Sequence, residues 1–317
     1  MKQMTDEFRF LQAISCLNTS LYRCVSPLAS KLCNTAQEIR LRVNRPLTIV
    51  CTDATFYLTT QGRLVNTPLL ETILCVKRSD IIDIFNNICN YSVYSHQSEI
   101  VNGFVTMSGG HRAGLSGTAV QSDGNIKNIR DISSINIRIA REYVGCAKML
   151  DEKIGDIKNG GVLLCGAPCS GKTTVLRDYA RLLSVEKSLN ISLIDERGEL
   201  ASTSSGIFQN DIGFCDVYDG YKKSDAMLHA IRSMAPDVIV CDEIGSEDDV
   251  RSIEQAVNSG VIIIASVHAS SVAELKRKHN IMKLFELSAF LKVVFLSGKN
   301  TPGEVTDIID AGEVCVC

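Results

Sequence analysis

The chain has no tryptophan, and aromatic residues make up only 6% of its 317 positions. That scarcity speaks against a stacking path for single-stranded nucleic acid. A positive surplus is missing too. Against 33 lysines and arginines stand 36 acids, giving a net charge of −3 and a pI near 6.0, so the whole chain has no electrostatic footprint for nucleic acid. No stretch approaches the roughly 20 apolar residues that a spanning helix requires. Met1-Lys2-Gln3-Met4-Thr5-Asp6-Glu7 opens polar and acidic, without the apolar core of a signal peptide, and a cytoplasmic protein is expected. Thirteen cysteines are present, yet none forms a C-x-x-C pair, and the terminal Cys315-Val316-Cys317 has no histidine beside it. A structural zinc site is therefore not expected, and a reducing compartment disfavours disulfides. Cys165 and Cys241 sit in strand-like runs and read as small buried apolar residues.

What is present is concentrated in one segment. Gly166-Ala167-Pro168-Cys169-Ser170-Gly171-Lys172-Thr173 fits the phosphate-binding pattern G-x-x-x-x-G-K-[ST]. Its context also fits, with the buried strand Gly161–Cys165 entering and a helix with apolar spacing leaving through Thr174. Glycines let backbone N–H groups close around phosphate oxygens, and the helix N-terminus adds its positive dipole end. In such a loop Lys172 reaches the β- and γ-phosphates and the Thr173 hydroxyl sits on Mg²⁺, so ATP and magnesium are the expected ligands. Cys169 lies inside the loop, where oxidation would block nucleotide, and no function is read into it.

Farther along, Val238-Ile239-Val240-Cys241-Asp242-Glu243 is an apolar strand ending in two acids, as a Walker B segment does. Asp242 is expected to hold Mg²⁺ through water and Glu243 to activate the attacking water, which favours hydrolysis over simple nucleotide binding. Leu193-Ile194-Asp195-Glu196-Arg197-Gly198-Glu199 ends another strand, expected beside the phosphate-loop strand. Its three carboxylates and Arg197 could position water, bridge to a neighbour or form a salt-bridged loop. His268 follows the strand Val261–Val267 at the same sheet edge, where a polar side chain can sense the γ-phosphate or serve structure alone. Hydrolysis of this kind gains from a guanidinium, often a neighbour's. Arg232, Arg112, Arg138 and Arg141 are the candidates, Arg112 within a Gly109-Gly110-His111-Arg112 turn that offers two phosphate ligands.

The C-terminal half alternates β and α, predicting an α/β domain with a parallel sheet over 146–317. Its strands are expected at Val162–Cys165, Ile191–Asp195, Val238–Asp242, Val261–Val267 and Lys292–Leu296, with a final hairpin around Asp310-Ala311-Gly312-Glu313. Residues 1–145 do not alternate in that way and predict a smaller α+β domain. Strands are expected there at Glu38–Val43, Leu47–Cys51, Thr55–Thr59, Asn102–Met107, His111–Val120 and Ser133–Glu142. Ala147–Ile157 is expected to form a linking helix ending at Asn159-Gly160-Gly161.

Taken with Glu38-Ile39-Arg40-Leu41-Arg42, Arg45-Pro46, Gly109–Gly114, Ile132–Glu142 and Ala235–Gly245, these motifs resemble the P-loop ATPases of type II and type IV secretion systems, pilus-retraction motors included. They resemble most closely a sporulation branch from endospore-forming bacteria, over nearly the whole chain. The resemblance implies a RecA-like ATPase domain and a hexameric ring with nucleotide between two domains and arginines supplied across the interface. It also implies a place on the cytoplasmic face of the mother-cell membrane, energising a channel-like complex of membrane proteins between mother cell and forespore. In the wider family Asp195–Glu199 falls at the Asp box and His268 at the His box, which makes Glu196 and His268 candidate catalytic residues beside Lys172 and Glu243. The chain departs from that family in having Asp242-Glu243 where Gly-Glu is usual, Asp-Glu-Arg in the Asp box, and no tetracysteine zinc module. The competing readings are a nucleic-acid-dependent ATPase, a nucleotide kinase and a nucleotide-binding switch; no stable nucleic-acid partner is expected.

Overall fold

The computed structural model describes residues 6–68, 72–122, 124–157, 160–204, 206–298 and 301–315. The end of the expected linking helix at Asn159 and most of Cys315-Val316-Cys317 lie outside these residues. The chain divides into two units, Met1–Arg141 and Glu142–Cys317, with the break slightly before the expected one after residue 145.

The first unit opens with helices α1 (Asp6–Ile14), α2 (Thr19–Val25) and α3 (Ala29–Leu32). Strands β1 (Ala36–Arg42), β2 (Thr48–Cys51), β3 (Thr55–Leu58) and β4 (Leu64–Val65) follow. Helices α4 (Arg78–Ile88) and α5 (Gln97–Val101) precede β5 (Phe104–Thr106), β6 (Arg112–Ser122) and β7 (Asn125–Arg138). All seven strands pair antiparallel in the order β4-β3-β2-β1-β7-β6-β5. Alternation gives the sheet its two faces. Ile39, Leu41, Ile135 and Ile137 point into a core with Phe10, Ile14, Ile81 and Ile84. Arg40, Arg42, Asn136 and Arg138 line the opposite face, because register partners lie on the same side.

The β6–β7 hairpin is longer than the sequence suggests. Pairing continues out to Ser122↔Asn125, through residues expected to be a turn. Most of this extension has no buried face, so backbone ladder bonds hold it and no apolar alternation announces it.

The second unit contains α6 (Lys148–Ile154), β8 (Gly161–Gly166), α7 (Lys172–Glu186) and β9 (Ile191–Asp195). A small ribbon, β10 (Thr203–Ser204) with β11 (Ile207–Phe208), precedes β12 (Asp216–Asp219) and α8 (Lys223–Ser233). Then come β13 (Val238–Cys241), α9 (Glu247–Asn258), β14 (Ile262–His268), α10 (Val272–Lys276) and α11 (His279–Glu286). The unit closes with β15 (Phe290–Leu296), β16 (Val305–Asp310) and α12 (Ala311–Cys315).

Its sheet runs β12-β9-β13-β14-β8-β15-β16, parallel throughout except for β16, which pairs antiparallel with β15 at one edge. Strands β8, β9 and β13 are buried along their whole length, with cores on both faces. Two expectations are corrected. Strand β9 does not neighbour β8; β13 and β14 lie between them. The terminal hairpin turns between Leu296 and Val305, while Asp310 ends β16 and Ala311 begins a helical turn instead. Gly312 and Glu313 continue that turn as helix, which lets Ala311 and Val314 pack beneath the sheet.

This strand order sets the chemistry. In-register pairs Gly166↔His268, Ala265↔Cys241 and Cys241↔Ile194 place the carboxyl ends of β8, β14, β13 and β9 along one edge. An open parallel sheet collects its ligand-binding groups at that edge.

Candidate functional site

Between β8 and α7 the chain must turn sharply enough to aim the first amides of the helix inward. Gly171, the residue before α7, has φ +87°, and a Cβ there would stand 2.7 Å from the Gly303 amide nitrogen. Only glycine meets both conditions. The Gly303 N–H in turn donates to Ser170 O at 2.8 Å, seating the β15–β16 turn against the loop. Cys169 is exposed and also left-handed at φ +64°, an uncommon state for a residue with a side chain.

Inside the loop the Lys172 ammonium is buried and donates to Gly166 O and Ala167 O, both at 2.9 Å, and to His268 Nδ1 at 3.0 Å. Burial pushes its pKa down, and the Asp242 and Glu243 carboxylates offset part of that. The Ser170 hydroxyl is buried with no partner among the described residues. A buried ammonium, an unpaired hydroxyl and helix N-terminal amides fit a polyphosphate.

At the end of β13, Asp242 accepts from the Thr173 hydroxyl at 2.7 Å and from Ser266. A hydroxyl and a carboxylate so close are hard oxygen donors of the kind Mg²⁺ takes. Glu243 is left-handed at φ +46°, with its N–H bound to Asp242 Oδ1 at 2.9 Å and Ser266 Oγ at 3.1 Å. Its carboxylate accepts from His268 Nε2 at 2.7 Å and pairs with Arg197. A chain thus runs from Lys172 through His268 to Glu243 and Arg197. Burial pushes the Glu243 carboxyl up, but the His268 hydrogen bond, Arg197 and Lys172 outweigh it and hold the group below its usual value.

The Asp195–Glu199 loop divides its roles. Asp195 is buried and accepts the amides of Glu199, Leu200 and Ala201 at 2.8 to 3.1 Å, so it folds the loop. Glu196 lies 3.7 Å from Lys223 Nζ, and Arg197 reaches Glu243. Lys223 itself is buried and donates to Glu243 O at 2.8 Å. Sequence reasoning missed it because Lys222-Lys223 reads as a solvated charge pair. In the sequence Arg197 is read only as one of the loop's charges that could position water or bridge to a neighbour, without a link to Glu243. The one available signal was that both fall just after strands aimed at the site edge.

The arginine candidates do not gather there. Arg232 is exposed at the C-terminal end of α8, whose first turn carries Lys223, so the helix length separates it from the site. In the first unit, the Arg141 guanidinium donates to Cys33 O at 3.0 Å, Ala36 O at 2.9 Å and Asn34 O, contacts that tie it to the segment leading into β1. Arg112 stacks 3.7 Å over the Phe104 ring. His111, expected as a phosphate ligand, is fully buried; burial and then Arg9 push it down to about 4, and its Nδ1 accepts the Ala140 amide at 3.0 Å. Arg138 is largely exposed, 3.9 Å from Glu38.

Comparison with known proteins agrees with this geometry. The profile of the family described as sporulation stage III, protein AA matches residues 10–315. Stage III sporulation protein AA of Bacillus subtilis (strain 168) is 36% identical over 279 residues, covering 86% of each chain. Among solved structures, the Legionella pneumophila ATPase DotB superposes with a TM-score of 0.56 at 16% identity, over 87% of this chain and 76% of its own. The pilus retraction motor PilT with bound ADP gives 0.55 at 16% identity, over 82% and 74%. At that identity the likeness is one of fold, and it establishes the RecA-like P-loop architecture.

Proposed function

The chain belongs to the sporulation stage III, protein AA family, and from that premise we propose that it is an ATP-hydrolysing motor energising a membrane-embedded, channel-like complex during sporulation. The observation that carries this reading is Glu243, held 2.7 Å from His268, which lies 3.0 Å from the phosphate-loop Lys172. A switch that only binds nucleotide has no need of a carboxylate fixed there.

Lys172 and the amides at the start of α7 hold the β- and γ-phosphates, while Thr173 and Asp242 hold magnesium. When bound, the metal would supply positive charge that offsets the charge developing on the phosphates. Glu243 takes a proton from the attacking water as the water's oxygen bonds to the γ-phosphorus and the bond to the ADP oxygen breaks. His268 fixes one oxygen of that carboxylate, and its contact with Lys172 lets it register the state of the phosphate loop.

A neighbouring copy is proposed to supply the transition-state guanidinium, with Arg112 and Arg138 as candidates. The two units carry opposite charge: 15 Lys and Arg against 10 Asp and Glu in 1–141, but 18 against 26 in 142–317. Copies of this chain therefore offer one another complementary surfaces, which favours a ring. No helix among the described residues is long and apolar enough to cross a membrane, so the proposed place is peripheral, on the mother-cell membrane through a membrane-protein partner.

The test is phosphate release from ATP and Mg²⁺, with and without DNA, comparing wild type and Lys172→Ala. The account expects release that does not depend on DNA and a loss of about a hundredfold or more in the variant. Release that requires DNA would move the protein to the nucleic-acid-dependent class.

A further inference from the structure

Lys223 stands in a place that opposes a cation in two ways. Its side chain is only 8% exposed, and it occupies the first turn of α8, where the helix dipole is positive. Three acceptors from three separate segments compensate. Its Nζ donates to Glu243 O at 2.8 Å, with Glu196 Oε2 at 3.7 Å and Asp249 Oδ1 at 3.9 Å.

What these contacts fix is the turn that carries Glu243. That residue is left-handed at φ +46°, a conformation that disfavours a residue with a side chain. Strain of that kind persists only where the surroundings over-determine it. Its N–H is held by Asp242 and Ser266, and the next amide, Ile244 N, donates to Ser266 O at 2.9 Å. Lys223 holds the carbonyl between them. Asp249 then takes the amides of Gly245 and Ser246 at 3.0 and 2.9 Å while facing Lys223 with its other oxygen.

Resting on the hydrolytic reading above, we propose that Lys223 is the positioning residue of the reaction. It pins the Glu243 carbonyl, keeps that backbone left-handed and so aims the Glu243 carboxylate at His268 and the water it activates. The contacts of Lys223 among the described residues are with Glu243, Glu196 and Asp249 and none is with the phosphate loop, so its effect belongs to turnover and not to nucleotide affinity. A displacement of about 1 Å at a reacting group can cost on the order of a hundredfold in rate.

The experiment compares wild type, Lys223→Met and Lys223→Arg for kcat, KM and affinity for a non-hydrolysable ATP analogue, and repeats Lys223→Met in a Glu243→Gln background. The expected result is a fall in kcat of about tenfold or more in Lys223→Met, with KM and analogue affinity within about twofold. Lys223→Arg, which keeps the cation and its donors, recovers much of that rate. In the Glu243→Gln background Lys223→Met has no further effect, because the group it positions is already disabled. Unchanged kcat, a parallel loss of analogue affinity, or the same further drop in the Glu243→Gln background overturns the assignment. A wild-type chain that does not hydrolyse ATP overturns the hydrolytic reading itself. Hydrolysis by wild type and Lys223→Met alike overturns only the role of Lys223.

Discussion

The two seven-stranded sheets put their side chains to opposite uses. In the first unit every strand pairs antiparallel, one face is core, and Arg40, Arg42 and Arg138 stand on the other. In the second, the strands from β12 to β15 run parallel and both faces are buried, so polar groups cannot spread over the sheet and collect at its carboxyl edge. Lys172, Asp242, Glu243 and His268 meet there because that edge is where these strands release the chain into the loops and helix starts that carry them. A parallel sheet concentrates chemistry, whereas an antiparallel sheet with one open face distributes charge.

Acid should break the first unit in a specific way. His111 is held neutral there, down to about 4 against an ordinary 6.5. An unfolded chain takes up the proton near 6.5, so stability present above that pH is lost as pH falls toward 4, by on the order of 3 kcal/mol. Denaturation midpoints followed by a probe in residues 6–141 check this, with His111→Gln expected to flatten the slope. Arg141→Ala removes the clamp on Cys33, Asn34 and Ala36 and should cost the same unit about 1–3 kcal/mol. Thermal melting reads that loss, and no change would mean that the clamp is ornamental.

The second unit should respond in rate instead. Arg197→Met takes away a cation that helps hold the Glu243 carboxyl low. Glu243 then keeps its proton to higher pH, so the acid limb of the kcat profile moves upward. A limb that stays in place would show that Arg197 does not face Glu243 in the working enzyme. The smallest effect concerns cysteines. Cys165 and Cys241 are buried and pushed up to about 12, so a thiol reagent should reach exposed Cys75 and Cys169 before them, with ATP slowing Cys169 alone. Mass spectrometry of the alkylated protein reads the order, and Cys169→Ser should change kcat by less than about twofold.

Legibility in the sequence followed the same division. Continuous apolar runs announced β8, β9, β13 and β14, and the phosphate loop and Asp242-Glu243 fixed what stood at their ends. Strand β12 has no such run, since Asp216 and Asp219 are exposed and only one side is covered. The sheet order was also hidden: apolar pattern says that a strand is buried but not which strands flank it, and β9 was placed beside β8 for that reason. In the first unit Ile135 and Ile137 marked the buried face correctly. His111 is fully buried, which its place in a Gly-rich turn does not announce, because a polar residue there looks exposed until packing encloses it. Lys223 was not legible as a site residue, and Arg197 only as part of the Asp195–Glu199 loop, since their contacts with Glu243 come from the fold bringing α8 and the β9 loop to it.

The central claim is that Glu243 is the base of an ATPase. Phosphate release and ATP binding, measured side by side for wild type and Glu243→Gln in the presence of the membrane partner, test it most directly. The account predicts that the variant binds ATP within about twofold of wild type and loses turnover by about a hundredfold or more. Equal turnover by the two proteins would contradict it.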